Sequence, residues 1–161
     1  MAPRELFLVR HGKAVEHAAG GDPARPLTEE GRAGIEAVGK ALAAFDVSPD
    51  VIVHSPYVRA TETAQILARA LGVKRLLSEG ALTPVASGES ALRAITRAPS
   101  LVNAPTVLAV SHMPLLPAIV QELVGARVDF GTGTVAQIAL LGPHGSVLVG
   151  VWSAEKLARV R

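Results

Sequence analysis

The stretch Glu5-Leu6-Phe7-Leu8-Val9-Arg10-His11-Gly12 decides the fold. Leu6 to Val9 is an unbroken apolar run, too short for a helix and without polar alternation. Such a run reads as a strand buried on both faces, the kind found in parallel sheets covered by helices. The run then stops on Arg10-His11-Gly12, two donor-rich side chains and a glycine. The same change of character recurs downstream. Val51 to Val53 gives way to His54-Ser55-Pro56, with Arg59 one turn further on. Pro105 to Val110 gives way to Ser111-His112.

Helical patterns separate these strands. Thr28 is a good N-cap, with Glu29 and Glu30 where the helix dipole favours anions. Ile35, Val38, Leu42 and Phe45 follow at helical spacing. Ser55-Pro56 reads as a second helix start, serine capping and proline at the first position, running to Gly72 as C′ glycine. A weak strand is expected at Arg75 to Leu77, a third helix from Gly88 to Ala98, and a fourth from Pro114 to Val124. Val135 to Leu141 and Ser146 to Trp152 read as strands joined by the turn Gly142-Pro143-His144-Gly145. Residues 155–161 are expected to form an edge segment. This order predicts an α/β fold: a three-layer αβα sandwich, its central sheet mainly parallel with a C-terminal antiparallel pair. The connection from Gly12 to Thr28 is long for a compact domain, and such loops are usually functional or mobile.

Composition narrows the chemistry. The chain has 161 residues, 49% of them hydrophobic, and a formal net charge of +2. A single domain spanning residues 1–161 is expected, and a chain of this size buries roughly 68–70% of its unfolded surface. The absence of cysteine excludes disulfides, thiolate metal clusters and every cysteine nucleophile. The twelve arginines are scattered rather than clustered in runs, so neither nucleic acid nor a membrane surface is an expected partner. Leu6 to Val9 is too short for a secretory h-region, and no stretch approaches a membrane span. A cytoplasmic location follows by default.

In an open parallel sheet, ligands bind beyond the carboxyl ends of the strands. Arg10, His11, Arg59 and His112 should therefore converge, although far apart in sequence. Two arginines and two histidines beside two helix N-termini make an anion site, and the natural ligand is a phosphoryl group. Each cluster alone would read as structural; the conjunction argues for a site. His54 is expected to fill space at its strand end, His17 to be a solvated loop residue and His144 an exposed turn residue. Histidine spacing offers no metal site, and the arginines would repel a cation.

Leu8-Val9-Arg10-His11-Gly12-Lys13-Ala14 resembles the arginine-histidine-glycine signature of the histidine phosphatase superfamily, whose fold is phosphoglycerate-mutase-like. Arg25-Pro26-Leu27-Thr28, Ser55 to Ala64, Leu82-Thr83-Pro84 and Val110 to Pro114 extend the resemblance in the family's order. Within the superfamily the chain is most similar to the SixA-type phosphohistidine phosphatases. The resemblance implies that His11 is a nucleophile forming an N–P adduct, its other nitrogen protonated and held by an acceptor such as a backbone carbonyl. Arg10 and Arg59 would bind phosphoryl oxygens through their forked donors. His112, protonated beside the dianion, would be a further donor. Ser55 is a candidate substrate contact, with helix capping the stronger reading. Arg25 and Lys13 are candidate contacts to the substrate protein or its phosphate.

The general acid is the open position. Glu79 is the first candidate, with Glu89 and Asp22 behind it. An alkoxide leaves poorly without a placed acid, whereas the N–P bond of phosphohistidine is labile. The resemblance therefore favours a metal-free phosphohistidine phosphatase, without cofactor and monomeric, acting on a phosphorylated protein such as a phosphotransfer domain or phosphocarrier. A small-molecule phosphomonoesterase on the same scaffold is the alternative. A non-catalytic phosphoprotein-binding module is the alternative of another class.

Overall fold

The computed structural model describes residues 3–160. Six strands form one sheet: β1 (Glu5–Arg10), β2 (Val51–His54), β3 (Leu76–Ser78), β4 (Thr106–Ser111), β5 (Val135–Leu140) and β6 (Ser146–Trp152). Their spatial order is β3-β2-β4-β1-β5-β6. The first four strands run parallel; β5 is antiparallel to β1, and β6 to β5. The expected α/β sandwich and its antiparallel C-terminal pair are both present.

Alternate residues of each inner strand feed two separate cores. Leu6 and Leu8 of β1 point into one, with Val51, Val53, Val107 and Ala109. Two helices cover it: α3 (Gly88–Thr96) through Ala91 and Ile95, and α4 (Leu115–Val124) through Leu116, Ile119 and Val120. Phe7 and Val9 point the other way, with Ile52, Leu108 and Val110. That face is covered by α1 (Glu29–Ala44) and α2 (Val58–Leu71), through Ile35, Val38 and Leu42 on the first and Ala60, Ala64 and Leu67 on the second. Burial on both faces explains why the strands read as unbroken apolar runs. Truncating a fully buried member such as Leu8 to alanine would cost about 2–5 kcal/mol.

Local signals set most boundaries. Thr28 Oγ1 accepts the Gly31 N–H at 2.9 Å, with Glu29 and Glu30 in the first turn of α1. Gly72 ends α2 at φ 69°, a left-handed cap that only glycine adopts without strain. Three expectations need correction. The second helix begins at Val58, with Tyr57 as N-cap, not at Ser55-Pro56; Ser55 Oγ takes the Tyr57 N–H just ahead of it. The third helix ends at Thr96, and its C-cap Arg97 is followed by a 3₁₀ turn from Pro99 to Leu101. The C-terminal segment is not an edge strand: Ser153 caps a short helix, α5 (Ala154–Leu157), whose Leu157 enters the α1–α2 core. Arg161, the last residue of that expected segment, lies outside the described residues.

The long Gly12–Thr28 connection is tied at its neck. Val15 N–H donates to Pro26 O and Thr28 N–H to Lys13 O, both at 2.9 Å. Leu27 N–H donates to Glu62 Oε2 of α2 at 2.7 Å. A Cβ on Gly31 would collide with the Lys13 carbonyl, so glycine there lets the loop lie directly on α1.

Candidate active site

Strand register builds the site. Arg10 pairs with Ser111 across β1 and β4, so His11 and His112, each one residue further, stand side by side. Their ring centroids are 5.0 Å apart. His54 of β2 pairs with Val110, which brings Ser55 to the same level. Arg59 reaches in from the first turn of α2 and is 4% exposed. Arg10, His11, Arg59, His112 and Ser55 thus converge at the carboxyl ends of the parallel strands.

The tautomer of His11 follows from its partners. Nδ1 lies 2.7 Å from the Gly12 carbonyl, which can only accept, so Nδ1 carries the proton. Nε2 receives the Arg59 Nε–H at 3.3 Å, so Nε2 presents its lone pair. Burial, and then the charges of Arg59, Arg10 and Arg25, push His11 down to about 4 against the opposing Gly12 hydrogen bond. The ring is neutral at neutral pH. The Gly12 peptide is fixed in turn by Thr63 of α2, whose Oγ1 accepts the Gly12 N–H at 3.1 Å and donates to Arg59 O at 2.7 Å. One buried hydroxyl therefore couples the His11 turn to the turn bearing Arg59.

Burial, with His11 and Arg59 nearby, pushes His112 down to about 3, Asp22 pulling the other way. The ring is neutral here; the imidazolium that the resemblance implies is one beside a phosphoryl dianion. Its Nε2 lies 2.7 Å from Ser55 Oγ, which also accepts the Tyr57 N–H at 3.3 Å. Among the described residues the fully buried Ser55 O–H has no other acceptor, so it donates to His112 Nε2, and the proton of His112 sits on Nδ1. That nitrogen is buried and without a partner, as is Arg10 Nε. Buried donors normally have partners, and unpartnered ones mark functional sites. Ser55 is itself fully buried, and its hydroxyl orients His112 while taking the Tyr57 N–H just ahead of α2.

The arginines are held apart from each other. Arg10 donates through NH1 to Phe130 O at 2.8 Å; burial and Arg59 lower its pKa. Arg59 donates through NH1 to Asp22 O at 2.8 Å and through NH2 to Asp22 Oδ2 at 3.2 Å. Its guanidinium lies 5.1 Å from the Tyr57 ring centroid, and the same ring packs edge-on to His112.

Arg25 approaches through Asp22, donating Nε–H to Asp22 Oδ1 and NH1 to Val15 O, both at 2.8 Å. Lys13 is not brought in: its ammonium forms an exposed ion pair with Glu30. Nor is Glu79, whose Oε1 accepts the Ala81 N–H at 2.9 Å and caps the Gly80–Leu82 turn. Glu89 pairs with Arg93 on α3. His54 is buried and donates to Ser55 O, while His17 and His144 are exposed, as expected for all three. Among the described residues, no group of His, Asp and Glu is gathered to hold a metal ion.

The roles of Thr63, Tyr57 and the Phe130 carbonyl are absent from the sequence reading. Thr63 carries a legible signal, lying four residues after Arg59 on the same helix face. Phe130 carries none, because its contribution is backbone.

Known proteins resemble this chain in sequence and fold. A protein called phosphohistidine phosphatase SixA homolog from Haemophilus influenzae is 34% identical over 155 residues, covering 89% of this chain and 93% of its own. Phosphohistidine phosphatase SixA of Escherichia coli is 30% identical, covering 84% and 85%. The structure of the protein histidine phosphatase SixA complexed with tungstate superposes with a TM-score of 0.87 at 26% identity, covering 95% of this chain and 99% of that one. Residues 6–90 match the model of the histidine phosphatase superfamily, branch 1. With its phosphoglycerate-mutase-like fold and its Arg10-His11-Gly12 turn inside the matched segment, the chain belongs to the histidine phosphatase superfamily.

Proposed function

We propose that the chain is a metal-independent phosphohistidine phosphatase that removes phosphoryl groups from a protein histidine through a phosphorylated His11. It rests on one observation: a buried, neutral His11 with its proton fixed on Nδ1 by Gly12 O and its Nε2 lone pair facing a cluster of cations. In the proposed step, that lone pair attacks phosphorus, the substrate N–P bond breaks, and its electron pair stays on the leaving imidazole. Water then cleaves the His11 adduct to inorganic phosphate. Among the described residues, Arg10 Nε–H and His112 Nδ1–H are the buried donors without partners, and with Arg59 they would hold the equatorial oxygens as charge redistributes. The contact uses only the Nδ1–H of His112, and protonation of that ring beside the dianion would strengthen it. The relatives named SixA support phosphohistidine as the substrate class.

Size argues for a substrate that supplies its own bulk. The one helix between β3 and β4, α3, is committed to the core through Ala91 and Ile95. The substrate would be a phosphotransfer domain or phosphocarrier, met by the monomer. The decisive experiment uses a protein labelled with ³²P on histidine. Wild-type enzyme should release phosphate and carry acid-labile label on His11, and His11→Asn should lose turnover by at least about 10³-fold. Rapid turnover of sugar phosphates with none of phosphohistidine protein would favour the phosphomonoesterase. Normal turnover by His11→Asn would end the covalent account.

A further inference from the structure

One carboxylate touches the cationic cluster, and the mechanism above leaves it unused. Among the described residues, Asp22 is the carboxylate bonded to Arg59, and Arg25 takes its other oxygen. The arrangement is costly if it serves only the loop. An anion beside Arg59 repels an incoming dianion and occupies N–H groups that could bind it. Loop anchoring needs no such carboxylate, because the Asp22 carbonyl already accepts from Arg59 NH1 at 2.8 Å and Glu62 already ties the loop's return.

Position and ionisation suggest its use. The Arg59 guanidinium contacts His11 Nε2 through Nε and Asp22 through its terminal nitrogens, so Asp22 sits one guanidinium's width from the nucleophilic atom. The Asp22 side chain is 53% exposed, at the mouth of the site, whereas Arg59 below it is buried. Desolvation would raise its pKa, but hydrogen bonds from Arg25 and Arg59, and their charges, outweigh that and hold it below the ordinary carboxyl range. An ionised carboxylate cannot act as the proton donor that an alkoxide leaving group needs. It can accept hydrogen bonds, and each oxygen has a lone pair left after its arginine contact.

We propose that the Asp22 carboxylate accepts the distal N–H of the substrate's phosphoimidazole and so selects phosphohistidine over phosphate monoesters. This rests on the phosphohistidine reading above. The chemistry balances without proton transfer to Asp22. A phosphoimidazole protonated on its distal nitrogen loses its phosphoryl group with the N–P electron pair remaining on the ring, and departs as neutral imidazole. The attacking ring is its mirror: His11 bonds phosphorus through Nε2 while its distal Nδ1–H rests on Gly12 O. Transfer is then a near-symmetric exchange between two imidazoles, each with its distal N–H on an oxygen acceptor. The enzyme supplies Gly12 O for its own ring and Asp22 for the substrate's. A monoester has no such N–H to offer.

The test compares Asp22→Asn with wild type on three substrates: a phosphohistidine protein, phosphoimidazole and p-nitrophenyl phosphate. The nitrophenolate leaves without an acid and carries no ring N–H. The expected result is a fall of at least tenfold in kcat for both phosphoimidazole substrates relative to kcat for p-nitrophenyl phosphate. An equal fall on all three would make Asp22 an anchor for Arg59 and overturn the proposal. Equal or faster turnover of all three would make it a removable obstruction and also overturn it. If wild type itself fails on phosphohistidine, the functional reading falls; if wild type succeeds and the substrate ratio is unmoved by Asp22→Asn, this inference falls alone.

Discussion

The floor and the rim of the site are built by different means. The floor is Arg10, His11, Ser55 and His112, each at or just beyond the end of a parallel strand, with Arg59 one turn into α2. Their positions are set by sheet register, which allows no adjustment without flipping side chains to the other face. The rim is the Gly12–Thr28 loop, carrying Lys13, Asp22 and Arg25, pinned at its neck and by a few side-chain bonds. The floor buries positive charge with little direct compensation, an arrangement that costs stability. The rim supplies the compensating carboxylate from outside. The difference teaches where roles would divide under the proposed function: phosphoryl chemistry on rigid strand ends, substrate discrimination on a loop.

After His11→Asn, the largest expected effect tests whether the floor is the phosphoryl site. Arg59→Ala removes the residue that contacts both His11 and the rim. It should lower kcat/KM by about 10²–10³-fold, the usual loss for one preorganised donor. Steady-state kinetics on phosphohistidine protein checks it. Normal kinetics would contradict convergence at the strand ends.

Sequence legibility follows the same division. The floor is readable because an apolar run and its polar stop are both local, and the rule that ligands bind at strand ends joins them. Ser55 shows the limit. Its capping signal before Pro56 is genuine, but its hydroxyl is taken by His112, a partner 57 residues away, and the helix starts later. No local pattern reports such a partner. Asp22 is harder still: it lies in a stretch without periodicity, and its bond to Arg59 spans 37 residues. At the C-terminus, Ser153 with Glu155 is a readable cap, yet the helix that follows has four residues, too few for periodicity to register.

A second test asks whether the floor is as dry as its geometry implies. In the unfolded chain both site histidines titrate near the ordinary 6.5. In the fold they stay neutral to about 4 for His11 and about 3 for His112. Between those limits the unfolded state binds more protons, so stability is full above about pH 6.5 and falls as pH drops toward 4. The loss from pH 7 to pH 5 should be up to about 2 kcal/mol per histidine, read as a falling denaturant midpoint. His11→Asn should remove its share and flatten the slope. An unchanged slope would mean that His11 is hydrated and its neutral state is not set by burial.

The smallest expected effect bounds the rim. Lys13 is adjacent in sequence to the His11-Gly12 turn, and its charge alone would nominate it as a phosphate ligand. Its ammonium instead pairs with Glu30 at the start of α1, and both groups are exposed. Exposed pairs of this kind contribute little, because water and salt screen them and two long side chains must be ordered. Lys13→Ala should therefore leave the melting temperature unchanged and kcat on p-nitrophenyl phosphate within twofold of wild type. The informative comparison is KM for the phosphohistidine protein against KM for phosphoimidazole. A rise confined to the protein would extend the rim into a docking surface, with Lys13 reading acidic residues around the phosphorylated histidine. A rise on both would move Lys13 into the floor and break the division at its first residue. With neither, discrimination rests on the loop's far end, where Asp22 and Arg25 meet Arg59.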